Sequence, residues 1–368
     1  MDNSIKSMTI EGFKSIRKLD KLELHPLTIL IGANGCGKSN FLSFFRLLGA
    51  IYHQKLRERI AEWGGADRLL FMGPQVTNLI CASVESSDYR YSFALKPTAV
   101  NEMIFAEDQL LFMKDQKPSF PFYLGDVAPG SGHMESLVRN SMHIQDNLLA
   151  RIAGARFYHF SDMGVPAAAR RSVTVRHDEA LSPDGGNIAA FLAMLKDQYL
   201  EHYNRIRDTV RTAAPFIDDF LLRPRQVGQD VEVLLEWKQP GSNYPFHPAQ
   251  ISDGTLRFIC LATALLQPGL EHCSLLLDEP ELGLHPFAIG VLAGLIKSAA
   301  AVRQVFVSTQ SPALLDHFDP EDVIVVNRRD GASQFQRLDR AALQQWLEEY
   351  TLGELWQKNY VEGGIGNG

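Results

Sequence analysis

The residues best suited to chemistry form a glycine-rich run near the amino terminus, GANGCGKS at positions 32–39. The run fits G-x-x-x-x-G-K-[ST] and lies between an apolar stretch and a helical pattern, which is the context of a phosphate-binding loop. Its glycines let backbone N–H groups approach phosphates, and the following helix adds the positive end of its dipole. Lys38 can reach the β and γ phosphates, and Ser39 can bind Mg²⁺. The alternative is a glycine turn that only caps a helix.

A second chemical cluster is SLLLDEPE at positions 274–281, an apolar run that ends in three carboxylates. The pattern predicts a buried strand that emerges at its carboxyl end, where α/β sheets place their ligands. Asp278 would hold Mg²⁺ through water, and Glu279 would orient or deprotonate the water that attacks the γ-phosphate. Alone, the cluster also fits an exposed acidic turn, but the upstream loop favours the catalytic interpretation.

The third cluster, SDGT at positions 252–255, precedes an apolar helical pattern that leads to the acidic strand. Ser252 in this position is an ordinary helix N-cap, and the residues alone leave that alternative open. A serine hydroxyl, a glycine that permits close approach and a helix N-terminus also suit a γ-phosphate sensor. The position shortly before the acidic strand favours the sensor.

Strands and helices must position these clusters. The first 50 residues predict two alternating strands, a buried strand at Leu27–Ile31, the glycine loop and a helix. Two alternating runs within 76–95 predict an antiparallel hairpin. Helical spacing over 187–212 predicts a long amphipathic helix or a helical pair. Residues 231–237 predict a strand, and residues 340–356 predict a helical tail.

The composition limits the classes of function. The 368 residues are 45% hydrophobic and 21% charged, which is typical of a folded globular protein. The formal net charge of -7 argues against a protein that coats nucleic acid and leaves only a focused contact with DNA. Scattered cysteines without zinc or disulfide spacing favour a reducing cytosol. Because no long apolar run or secretory signal is present, we expect a soluble, cytoplasmic protein without a membrane anchor.

Together these segments resemble the ABC-ATPase heads of the SMC, RecF and OLD group, most closely its small stand-alone ATPases. The resemblance covers nearly the whole chain, and its most specific segments are IEGFKSI, GANGCGKSN, SDGTLRF, LLLDEPELGLHP and VSTQSPALLD. It implies an α/β P-loop NTPase fold with ABC-ATPase-head architecture: a mixed or parallel core sheet, an antiparallel β-subdomain and a helical insertion. The expected parts are an N-terminal lobe over 1–160, a mainly helical insertion over 161–245, a C-terminal lobe over 246–335 and a helical tail over 336–368.

The resemblance also implies which residues bind ATP and Mg²⁺. Nucleotide contacts would come from Gly32, Asn34, Gly35, Cys36, Gly37, Lys38, Ser39, Asn40, Ser252 and Gly254, metal contacts from Ser39 and Asp278, and catalysis from Lys38, Glu279 and Gln310. Such heads form an ATP sandwich, in which Ser252 and Gly254 contact the γ-phosphate held by a second copy and residues 281–285 cross the interface. Two residues depart from the wider pattern: Gln310 stands where many ABC ATPases have a switch histidine, and Asp253 stands where transporter signatures usually have glycine. Because glutamine can hydrogen bond but cannot carry charge, we expect slow hydrolysis.

The expected function is that of a Mg-dependent ATPase whose ATP-driven homodimerisation gates a partner in DNA maintenance and repair or in defence against phage and plasmids. Because the sequence stops soon after the ATPase core, we expect an effector such as a nuclease to be a separate chain. Two alternatives stay open: an ATP-locked structural or DNA-clamp protein with little turnover, and the nucleotide-binding subunit of a membrane transporter. The transporter alternative predicts a plain SGGQ signature, a switch histidine and a compact head, and this chain departs from all three.

Contact with DNA would require a basic face. Arginines concentrate in the middle of the sequence, and several on one face could hold a nucleic-acid backbone or an acidic partner. Solvated helix faces are the alternative. These arginines are Arg151, Arg156, Arg170, Arg171, Arg176, Arg205, Arg207, Arg211, Arg223 and Arg225.

Overall fold

The computed structural model describes residues 4–114, 117–123, 132–136, 152, 154–175, 180–270 and 273–361. Its strands are, in chain order, β1 (Ser7–Phe13), β2 (Ile16–Glu23), β3 (Leu27–Ile31), β4 (Ile80–Glu85), β5 (Tyr89–Pro97), β6 (Met103–Lys114), β7 (Lys117–Tyr123), β8 (Arg156–Tyr158), β9 (Val173–Thr174), β10 (Asp219–Leu221), β11 (Arg225–Val227), β12 (Asp230–Val233), β13 (Glu236–Lys238), β14 (Leu275–Asp278), β15 (Val305–Thr309), β16 (Val323–Arg329) and β17 (Ala332–Arg337). Its α-helices are α1 (Lys38–Tyr52), α2 (Leu56–Glu62), α3 (Ile188–Gln198), α4 (Leu200–Ala213), α5 (Asp253–Leu266), α6 (Pro286–Ala300), α7 (Pro312–Leu315), α8 (Arg340–Leu347) and α9 (Leu352–Gln357).

Two six-stranded sheets form the framework. One is antiparallel, with the order β2-β1-β4-β5-β6-β7, and contains the predicted hairpin β4-β5. The other, here called the core sheet, has the order β17-β16-β3-β15-β14-β8. Its strands run parallel except β17, which pairs antiparallel with β16. The mixed core sheet beside an antiparallel subdomain confirms the predicted fold class.

The core sheet is covered on both faces because its central strands are continuous apolar runs. Successive side chains of a strand point to opposite faces, so each strand supplies two cores. In β14, Leu275 and Leu277 enter one core, which also contains α3 to α6. Leu276 enters the other core, where it joins Phe306 of β15, the antiparallel sheet and α1. The phosphate-loop helix and the helix after SDGT therefore pack on opposite faces of the same sheet.

The segment 161–245 is less helical than expected. It contains the predicted helical pair, α3 and α4, but also the five short strands β9 to β13. The predicted strand 231–237 is wrong as one element, because β12 pairs with β9 and β11 whereas β13 pairs with β10. Between β12 and β13 the N–H of Glu236 donates to the carbonyl of Leu234 at 2.8 Å. This tight turn takes the chain from the sheet that contains β12 to the sheet that contains β13.

The tail after β17 consists of two short helices rather than one. α8 ends before Glu348, and α9 begins with a capping box in which Thr351 and Glu354 hydrogen bond reciprocally. Its Leu355 and Trp356 pack into the core that contains α6. Across the described residues, no helix is long and apolar enough to cross a membrane.

Candidate functional site

The loop between β3 and α1 has a shape that requires glycine. Gly35 and Gly37 have φ of 75° and 115°, in the left-handed region that strains other residues. A Cβ on Gly37 would overlap the Ser333 hydroxyl and lie 2.7 Å from the Ser15 Oγ, and a Cβ on Gly32 would overlap a backbone carbonyl of β16. Gly32 and Gly37 are therefore needed for packing of the loop against the β16-β17 hairpin, in addition to any approach of a phosphate.

Lys38 opens α1 and is only 5% exposed. Its Nζ donates to the carbonyl oxygens of Gly32 at 2.6 Å and Ala33 at 3.1 Å, so the ammonium group lies inside the curve of the loop. Asn34 is at the exposed tip, whereas Cys36 is buried. The loop thus has one buried cation surrounded by backbone groups, which is the arrangement that receives a phosphate chain.

Asn40 has a structural contact that the sequence did not indicate. Its Nδ2 donates to the Ser15 Oγ at 2.8 Å. The Ser333 hydroxyl lies 2.7 Å from the same oxygen and 2.5 Å from the carbonyl oxygen of Cys36, so it bridges the two. Asn40 therefore belongs to a network that fixes the base of the loop.

Ser39 and Asp278 lie together at the carboxyl end of the core sheet. The Ser39 Oγ donates to the Asp278 Oδ1 at 3.2 Å, although 239 residues separate them in the chain. The Ser308 hydroxyl of β15 donates to the same Asp278 oxygen, and Asp278 is 8% exposed. The parallel pairing of β3, β15 and β14 brings these residues to one edge.

The Ser39–Asp278 pair fits a magnesium ion. A hydroxyl and a carboxylate are the hard oxygen donors that Mg²⁺ prefers, so Ser39 would bind the ion directly and Asp278 would hold it through a water. Among the described residues, no group of three or more His, Cys, Asp and Glu side chains could hold a metal by itself. Mg²⁺ suits such a sparse protein donor set because it commonly takes its remaining ligands from water and substrate phosphates.

Glu279 turns away from the strand immediately after Asp278. Its φ of 48° is in the left-handed region, so the backbone changes direction there and the two neighbouring carboxylates separate. The Gln310 Nε2 donates to the Glu279 Oε1. A strained backbone of this kind is typical of functional positions. The structure therefore brings together Lys38, Ser39, Asp278, Glu279 and Gln310 at one end of the sheet.

Glu281 is the third carboxylate of the acidic cluster and is buried beneath the other two. Its Oε1 accepts from the Thr309 hydroxyl at 2.5 Å and from the backbone N–H of Gln310 at 3.4 Å. Burial raises the pKa of the Glu281 carboxyl. These bonds fix the turn after β14 against the end of β15, which Gln310 directly follows.

His159 also borders this site, and sequence reasoning missed it. Its Nδ1 lies 3.3 Å from the carbonyl oxygen of Asp278 and 3.6 Å from the Asp278 Oδ2. The residue follows the short strand β8, which is parallel to β14. The sequence signal, a polar residue directly after the run RFY, becomes visible only once that pairing is known.

The segment SDGT starts α5, as predicted. Ser252 is the N-cap, and its hydroxyl accepts from the N–H of Thr255 at 3.2 Å. Ser252 is exposed, and among the described residues no hydrogen bond joins it to the loop 32–40. A Cβ on Gly254 would overlap the carbonyl of Gly283, so this glycine is required for packing within one chain. The N-cap and the sensor interpretations are both compatible with this geometry.

Two buried arginines anchor the start of α5. Arg170 donates to the carbonyls of Met163 and Ile251 at 2.8 and 2.9 Å, and to the Asp253 carboxylate at 2.7 Å. The Arg257 Nε donates to the carbonyl of Phe160 at 2.7 Å. The side chain of Asp253, the residue that departs from transporter signatures, is thus paired with Arg170.

Half of the mid-chain arginines that the structure describes are paired with carboxylates and do not form a free basic face. Arg170, Arg207, Arg211 and Arg225 each lie within 4 Å of a carboxylate. Arg151 and Arg176 lie outside the described residues. The paired arginines favour the solvated or structural interpretation of this cluster.

Two family models match the chain. The model described as "AAA ATPase domain" matches residues 4–106, and the model described as "AAA domain, putative AbiEii toxin, Type IV TA system" matches residues 148–316. The urease accessory protein 2 of Cryptococcus neoformans var. grubii is 25% identical over 285 residues, which are 75% of this chain and 20% of that protein. The chain therefore spans about a fifth of the length of that curated relative.

Solved structures of Smc heads share the fold. An Smc head bound to the C-winged helix domain of ScpA superposes with a TM-score of 0.57 and 15% identity, over 93% of this chain and 99% of that chain. An Smc head with an extended coiled coil, bound to the C-terminal domain of ScpA and derived from Pyrococcus furiosus, gives 0.56 and 14%, over 94% and 98%. AAA ATPase domain models thus match two parts of the chain, and its fold is similar to that of Smc heads.

Proposed function

We propose that this protein binds ATP with Mg²⁺ at the loop 32–40 and hydrolyses it slowly. The observation that carries the proposal is the 3.2 Å approach of the Ser39 Oγ to the Asp278 Oδ1, beside the buried ammonium of Lys38. ATP and Mg²⁺ are the general ligands of AAA ATPase families. Ser39 would bind the Mg²⁺ ion directly, and Asp278 lies close enough to hold the same ion through a water.

The proposed roles follow from where each group lies. Backbone N–H groups of the loop from Gly32 to Gly37 would hold the α and β phosphates, and Lys38 would leave the loop carbonyls for the β and γ oxygens. Ser39 and Asp278 would hold Mg²⁺, which neutralises developing charge on the phosphates when bound. Asn40 supports the loop through Ser15, so its contribution to nucleotide binding would be indirect.

Glu279 and Gln310 would act on the attacking water. Glu279 directly follows β14, and its carboxylate takes no part in the Ser39–Asp278 pair. The Gln310 amide fixes one of its oxygens. The second oxygen could then orient a water or take its proton. Because the amide is neutral, it positions Glu279 without stabilising charge in the transition state, which supports a slow rate.

Pairing of two copies is the second part of the proposal. Ser252 is exposed at the start of α5, the neighbouring turn exposes Leu282 (41%), and the start of α6 exposes Phe287 (58%). An exposed apolar surface beside exposed polar groups is typical of an interaction site. ATP would join two copies through contacts of Ser252 and Gly254 with the γ-phosphate bound by the other copy, and hydrolysis would release them.

The closed dimer would gate a separate effector protein. The Smc heads that share this fold were solved with ScpA, a different protein, and one matching family is described as a toxin of a type IV TA system. These matches support roles in DNA maintenance and repair or in defence against phage and plasmids. A nuclease effector and a contact with DNA remain parts of this proposal.

The test is the mass of the Glu279→Gln protein, measured by light scattering with and without Mg-ATP. The change should leave ATP binding intact and block hydrolysis, so ATP should double the mass. Ser252→Arg in the same protein should abolish the doubling, whereas a Lys38→Ala protein should not bind ATP. An unchanged mass of the Glu279→Gln protein with bound ATP would refute ATP-driven pairing.

A second candidate, an ATP-locked clamp with little turnover, is favoured by the neutral Gln310. Single-turnover measurement of phosphate release from the wild-type dimer separates the two. Release within the lifetime of the ATP-bound dimer supports the ATPase, and its absence supports the clamp.

A further inference from the structure

A cavity of about 370 Å³ lies away from the glycine loop, at the β8 edge of the core sheet. The second half of α1, the start of α2 and β8 form its walls. Five of its lining side chains are cationic or can be protonated: Arg46, His53, Lys55, Arg59 and Arg156. None of the lining residues that the structure describes is acidic.

The positive charge of this cavity is poorly compensated. Arg59 lies 2.6 Å from Glu62, but among the described residues no carboxylate lies within 4 Å of Arg46, Lys55 or Arg156. Burial and the neighbouring Arg59 lower the pKa of Arg46. The chain as a whole carries a net charge of -7, so the cluster does not reflect a generally basic protein. Like charges gathered around one cavity repel each other unless an anion enters it.

The cavity has an apolar side as well as a cationic one. Phe45, Ile152 and Leu276 are buried and line it. The Arg46 guanidinium lies over the Phe157 ring, 3.5 Å from its centroid, which holds that cation in one orientation. A few placed polar groups on a mainly apolar wall are typical of small-molecule sites, whose volumes begin at roughly 300 Å³.

We propose that this cavity binds a small phosphate-bearing anion of about the size of one nucleotide. Arginine and lysine side chains are the usual protein ligands of phosphate groups, and the apolar wall suits the non-ionic part of such a molecule. A nucleic-acid strand is less suited, because sites for single strands are grooves that follow several nucleotides. The volume favours a single compact ligand.

The cavity is separate from the ATP site but shares two elements with it. On α1, Arg46 lies seven residues after Ser39, which corresponds to a rise of roughly 10 Å. On β14, Leu276 lines the cavity two residues before Asp278. Binding of the anion does not require the ATP site to be functional, so the two proposals can fail independently.

The test is isothermal titration calorimetry with AMP in EDTA. AMP lacks the β and γ phosphates that Lys38 would hold, so wild type and Lys38→Ala should bind it equally. Lys55→Gln combined with Arg156→Gln removes two exposed charges from the rim and should weaken binding by about tenfold or more. Arg57→Gln is the matched control, because Arg57 is an exposed arginine of α2 that pairs with Glu102 and does not line the cavity.

Arg46→Gln should also weaken binding, and circular dichroism of that variant checks that it folds. Absence of AMP binding at about 10 mM would overturn the proposal, as would loss of binding in Lys38→Ala or equal binding by the rim variant and wild type. If a single-stranded oligonucleotide binds this cavity and AMP does not displace it, the occupant is nucleic acid and the proposal is wrong.

Discussion

Replacing Gly37 by alanine should destabilise the protein far more than the same change at Gly35, two residues earlier in the same loop. Both residues have positive φ, so each alanine costs about 1 kcal/mol after allowance for the stiffer unfolded chain. At Gly35 nothing lies within 4 Å of the added Cβ, so the positive φ is the only source of destabilisation. At Gly37 the Cβ displaces the Ser333 hydroxyl, which loses its bonds to Ser15 and to the carbonyl of Cys36.

The extra cost at Gly37 is the sum of these effects. Each lost hydrogen bond is worth about 1 kcal/mol, and overpacking adds about 1–3 kcal/mol. Gly37→Ala should therefore cost about 4 kcal/mol, and the difference from Gly35→Ala should be about 3 kcal/mol. Ser333→Ala should cost about 2 kcal/mol alone but should remove much of the collision in the double variant.

Urea unfolding without nucleotide, followed by circular dichroism, measures these differences. The double variant Gly37→Ala/Ser333→Ala should be about 2 kcal/mol more stable than the sum of the single effects predicts. Additive effects, or equal costs at Gly35 and Gly37, would refute the role of close packing. Glycine would then be required in this loop only for its positive φ and for the close approach of a phosphate.

Three further changes test other parts of the site. Asp278→Asn should weaken ATP binding in Mg²⁺ by about tenfold or more but leave binding in EDTA nearly unchanged, because only the metal contact is lost. Titration with a fluorescent ATP analogue in both buffers measures the two affinities, and equal losses of affinity would contradict the prediction. Gln310→Ala should lower the rate of phosphate release by roughly 10-fold or more, since Glu279 loses its positioning bond, whereas an unchanged rate would exclude that role. Desolvation and the nearby Arg46 lower the pKa of Lys14 to about 8, and because the folded pKa is below the unfolded one, stability should rise as pH increases from about 8 towards 10.5. After allowance for solvent screening, the free energy of unfolding should rise by about 1 kcal/mol between about pH 7.5 and 9.5. Urea unfolding at these two pH values measures the rise, and Lys14→Met should remove it.

The sequence predicted the parts of the site that lie on local motifs. GANGCGKS specifies a strand, a turn with positive φ and a helix, and these elements are β3, the loop and α1. The abrupt change from LLL to DEPE predicts a strand end, and β14 ends at Asp278. Such signals are reliable because the backbone conformation and the chemistry depend on neighbouring residues.

Contacts that depend on distant strand pairing could not be predicted from the sequence. His159 reaches Asp278 only because β8 lies beside β14, and three residues of β8 carry no pattern that specifies this partner. Asn40 is predicted to contact the nucleotide, and the additional contact of its amide with Ser15 across the loop base has no signal in the sequence. The apolar pattern predicts one strand over 231–237, but the chain turns at Leu234. Tertiary contacts rather than local propensity determine the backbone direction there.

The contacts of Arg257 connect the start of α5 to the catalytic edge. Its guanidinium donates to the carbonyls of Phe160 and Ser161, and to the carbonyl of Leu282 in the turn after β14. Phe160 directly follows His159, which contacts Asp278. A shift of α5 against the core sheet must therefore break these buried charge-assisted bonds or move the ends of β8 and β14 together with the helix. Because breaking them would leave a buried cation without acceptors, which costs several kcal/mol, joint movement is the lower-energy path. Contacts made at Ser252 would in this way change the position of Asp278 without any direct contact between the two residues.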